Sequence, residues 1–250
     1  MKVLIIGGTG VFGSRLAELL YRDGHEVTLA GRSAERAELA APLDAMARLR
    51  LDRDGDLTPV LRAGAEVVVD ASGPFQAMRA SLEDPWRVPR FCIVHGLHYL
   101  DLSDDADFTA GIGALDEAAR AAGCVVLSGV SSVPALSSAA VVGLREGMTD
   151  LELVDIAILP GNRAPRGRSV VEAIMRQAGT PLKVWRGGDW VETRNWSEGR
   201  PIRLADDMIR RGWLLRVPDT VLVPDWSGVR SVVFRAGMEL PILNLGLVGL

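Results

Sequence analysis

The chain has 250 residues, enough for one large core or two smaller ones; 48% are hydrophobic and 24% charged, an ordinary balance for a globular protein. A net charge of −4 gives no electrostatic reason to expect a nucleic acid or an anionic membrane as partner. Two cysteines (Cys92, Cys124), neither in metal-type spacing, and only three histidines (His25, His95, His98), of which His95 and His98 form a pair lacking a third ligand, argue against a disulfide framework or a structural zinc site and fit a reducing, cytoplasmic setting.

In chain order, short apolar or β-branched runs alternate with helical patterns. Val3–Ile6 is a continuous apolar run, as expected of a strand buried on both faces. Val11–Tyr21 carries Phe12, Leu16, Leu19 and Leu20 at helical spacing, and Asp23-Gly24 closes it. Glu26–Ala30 is the second strand, and a helix is predicted from about Ser33, its N-cap. Arg48–Leu51, Glu66–Asp70, His98–Leu102 and Cys124–Ser128 complete six strands. Helices are predicted over Asp84–His95, kinked or cut short by Pro89, and over Phe108–Ala122. Such alternation builds βαβ units and a parallel sheet.

The texture changes near residue 150. Leu151–Leu159 alternates imperfectly, Ser169–Gln177 is helical, and Leu182–Trp185 and Trp190–Thr193 flank the turn residues Gly187-Gly188-Asp189. Every tryptophan except Trp86 lies beyond residue 180. The expected fold class is α/β: a Rossmann-type doubly wound parallel sheet over residues 1–130. A smaller α+β unit with antiparallel strands follows over residues 131–250, for substrate binding or homodimerisation. No run approaches the roughly 20 apolar residues of a membrane-spanning helix. The dense apolar stretch holding Leu243, Leu245, Leu247, Val248 and Leu250 is expected to be covered by further chain or by a partner subunit.

Gly7-Gly8-Thr9-Gly10-Val11-Phe12-Gly13 follows the first strand and opens the first helix, and it satisfies G-x-G-x-x-G. The chemistry needs a tight turn and a bare backbone so that a pyrophosphate reaches unpaired N–H groups at the helix start. Strand before, helix after and glycine spacing all agree on a dinucleotide site. At the end of the second strand, where an acidic residue would accept the ribose hydroxyls of NAD, the chain reads Ala30-Gly31-Arg32-Ser33. A guanidinium there favours a 2′-phosphate, so NADP is expected in preference to NAD. Asp52, past the third strand, is a candidate for the adenine pocket. Ser72-Gly73-Pro74-Phe75, past the fourth, is a candidate for the nicotinamide end. A tyrosine–lysine pair four residues apart, as short-chain dehydrogenases use, is absent: Tyr99 is followed by Ser103 and Tyr21 by His25, and the lysines are Lys2 and Lys183.

Several of these pieces occur together in one family. Gly7–Gly13, Ala30-Gly31-Arg32, Ser72–Phe75, the run from Cys92 through Gly96-Leu97-His98-Tyr99-Leu100-Asp101, and the late Phe234–Pro241 resemble the saccharopine dehydrogenase-like NADP-binding oxidoreductases over most of the chain. Ser128–Pro134 matches a segment where many relatives have Gly-Phe-Asp-x-Val-Pro. Ser131 replaces that aspartate, so any role it has in relatives is not carried over. The resemblance implies hydride transfer at an interdomain cleft, with a small-molecule substrate between the Tyr99/Asp101 strand end and Ser131, Ser132 and Pro134. Tyr99 and Asp101, two apart on a strand, share a face; a buried tyrosine with a structural carboxylate is the alternative. No general acid or base is assigned, and a non-catalytic NADP-binding sensor is the competing function. His95 and His98 read as ordinary surface or hydrogen-bonded residues, and Arg163, Arg166 and Arg168 as a solvated loop.

Overall fold

Four successive apolar residues leave the first strand, β1 (Lys2–Ile6), no solvent-facing side, and it lies inside a six-stranded parallel sheet. The structure is a computed structural model, describing residues 1–81, 83–165, 167–205, 208–240 and 244. Leu243, Leu245, Leu247, Val248 and Leu250 of the apolar stretch noted above lie outside them, as does Arg166. The chain folds as two compact units. The first comprises Met1–Ser103, Gly111–Val130 and Arg166–Val170; the second comprises Asp104–Ala110, Ser131–Pro165 and Val171–Leu250.

In the first unit, β2 (Glu26–Gly31), β3 (Ala47–Arg50), β4 (Val67–Asp70), β5 (His98–Asp101) and β6 (Val126–Leu127) join β1 in the order β3-β2-β1-β4-β5-β6. Every neighbour pairs in parallel. Strand order reverses between β1 and β4, the switch point at which doubly wound sheets bind dinucleotides. Alternate residues supply two cores. Leu4 and Ile6 pack with Val68, Val88, Cys92 and Tyr99 on one face, and Val3 and Ile5 with Ala17, Val27 and Leu29 on the other.

Helix α1 (Val11–Arg22) packs through Gly13 and Ala17, with Leu16 and Leu20 partly buried beside them. Phe12 and Leu19, expected on that face, are exposed. Small residues bring the helix close to the sheet, so the buried stripe turns away from the largest side chains. The helix expected from Ser33 is only a single tight turn, Ala34–Arg36, and Ser33 makes no side-chain cap. After β3 come α2 (Pro59–Arg62), α3 (Phe75–Ser81) and α4 (Arg87–Val94). Pro89 does not kink α4. It sits in the first turn, where the missing N–H has no intrahelical acceptor. The predicted Phe108–Ala122 helix is broken into α5 (Ala106–Gly111), a tight turn (Ile112–Leu115) and α6 (Asp116–Ala121). A β-carbon at Gly111 would stand 2.3 Å from the Trp86 ring. The break falls where that ring packs.

The second unit adds α7 (Ser137–Leu144), β7 (Val154–Ile158), α8 (Arg168–Gln177), β8 (Pro181–Arg186), β9 (Asp189–Arg194), β10 (Arg200–Arg203), β11 (Ile209–Leu214), α9 (Asp219–Ser227) and β12 (Val232–Ala236). The first turn of α8 belongs to the first unit, and α5 up to Ala110 belongs to the second. β8 and β9 form the hairpin that the Gly187-Gly188-Asp189 turn foretells. The other strands make a sheet in the order β10-β11-β12-β7, antiparallel except for the last pair. Trp196 and Trp213 are buried against Val133, Leu215, Val217 and Phe234.

Tyr99 is fully enclosed in the first core, and its hydroxyl meets no hydrogen-bond partner among the described residues. An enclosed, unpaired hydroxyl costs about 1–3 kcal/mol. Tyr99→Phe is therefore expected to equal or exceed the parent in denaturant-unfolding free energy, by roughly 1 kcal/mol. Tyr99→Ala is expected to lose about 3–5 kcal/mol. A Tyr99→Phe protein that is clearly less stable would show that the hydroxyl holds a partner.

Candidate cofactor-binding site

The site is built from backbone. Gly7 has φ of +76°, and a β-carbon on it would stand 2.9 Å from the Ala71 carbonyl and 3.0 Å from Ser72 Cα. A β-carbon at Gly13 would stand 2.2 Å from the Gly7 oxygen, so no side chain fits there. The loop is fixed by Gly7 N–H donating to Ala30 O (2.8 Å) and Gly10 N–H to Gly7 O (2.9 Å). Gly10 precedes α1 in extended conformation. Ser14 N–H, donating to Gly10 O at 2.9 Å, opens the helical ladder, and the N–H groups of Val11, Phe12 and Gly13 have no intrahelical acceptor. This is a cradle that side chains would fill, at the positive end of a helix dipole, and its shape and donors fit a pyrophosphate. Thr9 is half-buried within it.

Arg32 and Ser33 are exposed at the end of β2, and Arg32 has no hydrogen bond or ion pair among the described residues. Asp52 is exposed, and its Oδ1 accepts Asp54 N–H at 3.1 Å, closing the turn after β3. Ser72, Gly73 and Pro74 are half-buried, whereas Phe75 is buried, with the Arg53 guanidinium 6.0 Å from its ring centre.

Two carboxylates end adjacent parallel strands, and both are fully buried: Asp70 of β4 is paired in register with Asp101 of β5. Asp70 is met by Arg53, which is 5% exposed, with Nε 2.9 Å and Nη2 2.7 Å from Oδ2. Its Oδ1 accepts Ser72 N–H (3.0 Å) and Ser72 Oγ–H (2.5 Å). Asp101 meets no cation among the described residues. Its Oδ1 accepts Ser103 N–H (2.9 Å), Gly129 N–H (2.9 Å) and Ser128 Oγ–H (2.8 Å), while Oδ2 is buried without a partner. Burial, opposed by those three hydrogen bonds, pushes its pKa up to about 6. Tyr99 and Asp101 are both fully buried in the first unit. Arg53 and Asp70 went unnoticed in the sequence, where they are a loop arginine and one strand-end carboxylate.

Of the second unit's candidates, Ser132 is exposed and Ser131 half-buried, while Pro134 is buried. Ser137, opening α7, donates to Asp219, which opens α9 and is fully buried. Burial raises the pKa of Asp219. This pair too was missed, because 82 residues separate its members. His98 Nδ1 accepts Val125 N–H at 3.0 Å, and His95 packs on Phe91. Arg163 is exposed. Gly167, in the short stretch that belongs to the first unit, faces Val11: a β-carbon on it would lie 3.7 Å from the valine.

The strand order, switch point and glycine cradle define a dinucleotide-binding α/β unit. Residues 3–127 match the family described as saccharopine dehydrogenase NADP binding domain, and the chain belongs to it. Among solved structures, apo histidine-tagged saccharopine dehydrogenase (L-Glu forming) from Saccharomyces cerevisiae is similar over 94% of this chain and 54% of that one, with TM-score 0.66 and 16% identity. The likeness is one of fold, and this chain spans about half the length of that protein. The WlbA (WbpB) dehydrogenase from Thermus thermophilus, in complex with NAD and alpha-ketoglutarate, has TM-score 0.44 and 13% identity over 95% of this chain and 72% of that one. No curated protein matches in sequence.

Asp101 generates a pH prediction. Its folded pKa near 6 lies above the ordinary 3.8, so the folded state holds the proton more tightly than the unfolded chain. The contribution to stability is complete below about pH 3.8 and is lost as pH rises through about 6, by up to about 3 kcal/mol. Asp101→Asn keeps an acceptor for the three donors and cannot ionise. Unfolding free energies measured across that range should fall less steeply with rising pH in the variant than in the parent. Parallel profiles would show that Asp101 does not titrate there.

Proposed function

We propose that the chain is the dinucleotide-binding part of an NADP-dependent oxidoreductase of the saccharopine dehydrogenase type, acting on a small molecule. The observation that carries this reading is the bare glycine cradle at the switch point, together with Arg32 at the end of β2, which has no ion pair among the described residues. Bound NADPH would supply a hydride. The chain's own residues bind and orient: the N–H groups of Val11, Phe12 and Gly13 receive the pyrophosphate, with Gly7, Thr9 and Gly10 shaping the loop beneath it.

Arg32 meets the 2′-phosphate with a planar fork of donors, and Ser33 adds a hydroxyl or a backbone N–H. Asp52 borders the adenine, and Ser72, Gly73 and Pro74 border the nicotinamide half. Phe75, Tyr99 and Asp101, being buried, support these loops from beneath. Ser131 and Ser132 are assigned to substrate, with Pro134 holding their segment.

NADP specificity through Arg32 follows from what stands at the strand end. Ala30 and Gly31 offer no carboxylate to bind ribose hydroxyls or repel a phosphate, and the next residue, Arg32, is a cation. A hydrogen bond to a charged group contributes on the order of 1.5–3 kcal/mol. Arg32→Ala should therefore weaken NADP by roughly tenfold to a hundredfold and leave NAD nearly unchanged. Isothermal titration of both proteins with both dinucleotides checks this. Equal affinity of the parent for NAD and NADP, or equal weakening of both by the substitution, would overturn the assignment.

A further inference from the structure

Resting on the dinucleotide reading above, we propose that Arg53 is a positioning residue for the nicotinamide half of the cofactor. It acts through Asp70 on the loop after β4 and touches no ligand itself. Arg53 is 5% exposed and grips Asp70 Oδ2 with two nitrogens. Asp70 Oδ1 in turn takes both the N–H and the hydroxyl of Ser72, which bends Asp70-Ala71-Ser72 into a side-chain-closed turn. Ala71 and Ser72 lie against Gly7 so closely that a single β-carbon would not fit between them. The guanidinium therefore fixes the loop after β4, on the nicotinamide side of the cradle, through one carboxylate and one serine.

Arg53 is itself held. Its carbonyl accepts Arg87 Nη1 at 2.6 Å, and the Gly55 carbonyl accepts Arg87 Nη2 at 2.8 Å. Phe75, at the start of α3, packs its ring 6.0 Å from the guanidinium carbon. One arginine thus ties together the segment after β3, the loop after β4 and, through Arg87, helix α4.

The direction of the effect comes from strand order. The pyrophosphate belongs at α1, and the adenosine half extends toward β2, where Arg32 stands. The other half must then extend toward β4, past Ser72–Pro74. Loosening the Asp70–Ser72 turn should spoil the nicotinamide side and spare the adenosine side.

The experiment titrates parent and Arg53→Met protein with NADPH and with its adenosine 2′,5′-bisphosphate fragment. NADPH is expected to weaken by roughly tenfold to a hundredfold, as small misplacements in positioned sites do, while the fragment stays within about twofold, a change of a few tenths of a kcal/mol by the usual conversion. A folded variant that binds NADPH like the parent overturns the proposal. So does equal weakening of both ligands, the mark of general damage to the fold. Should Arg53→Met fail to fold, Arg53→Lys carries the test, since it leaves one cation against Asp70 without the two-nitrogen grip. The same split between ligands supports the proposal, and parent-like binding of both overturns it. A parent that binds neither ligand removes the dinucleotide reading, and the proposal with it.

Discussion

The closest constraint in the first unit is between two pieces of backbone. Helix α1 starts so near the end of β1 that Gly13 would collide with the Gly7 carbonyl if it carried any side chain. That approach aims the free N–H groups of the first turn at the mouth of the sheet. It also explains why the helix buries glycine and alanine and leaves Phe12 and Leu19 outside. A helix held off by large side chains would bury more apolar area, at ~25 cal/mol per Å², but would set its dipole farther from the strand ends. Packing energy is given up there for access.

A second constraint follows from the parallel sheet. Strands that end together bring their last residues side by side, and here two of those residues are carboxylates, Asp70 and Asp101. Two buried negative charges on neighbouring strands are unfavourable, and the unit treats them differently. Asp70 receives a buried guanidinium; Asp101 receives three hydrogen bonds and holds its proton to higher pH. A buried ion pair is weak evidence of stability, because desolvation offsets much of its attraction. Its value is geometric: each carboxylate fixes the loop beyond a strand, Ser72 after β4 and Ser128-Gly129 after β6.

How much of this was legible depends on the range of each signal. Continuous apolar runs such as Val3–Ile6, and the spacing of Gly7, Gly10 and Gly13, carry their meaning locally, and they gave the sheet and the cradle. The alternation of Leu182–Trp185 and Trp190–Thr193 about two glycines did the same for the hairpin. What failed needed a partner far along the chain. Ser33 looks like an N-cap, yet Ala37 already turns extended (φ −68°, ψ 131°) after one turn. Gly111 breaks a helical pattern because Trp86 packs there. The β7–β12 pairing joins Val154 to Val232, and neither strand announces it. Arg53 reads as one charge among several in Asp52-Arg53-Asp54, and only the fold shows it withdrawn from water.

The serine–carboxylate contact recurs in the second unit, and the recurrence has a physical reason. Ser72 with Asp70, Ser128 with Asp101 and Ser137 with Asp219 each place a hydroxyl against a fully buried acid. A hydroxyl can donate to a carboxylate and still accept from a neighbour, so it satisfies the acid without bringing a second charge inside. At Asp70 that alone does not suffice, because Ser72 reaches one oxygen and Arg53 must take the other. At Asp101 and Asp219 the second oxygen has no hydrogen-bond partner among the described residues, and in both burial holds the proton above the ordinary range. Burial raises both pKa values, and the hydrogen bonds each acid accepts only partly oppose it. Arg53 gives the second oxygen of Asp70 a partner, which those of Asp101 and Asp219 lack among the described residues.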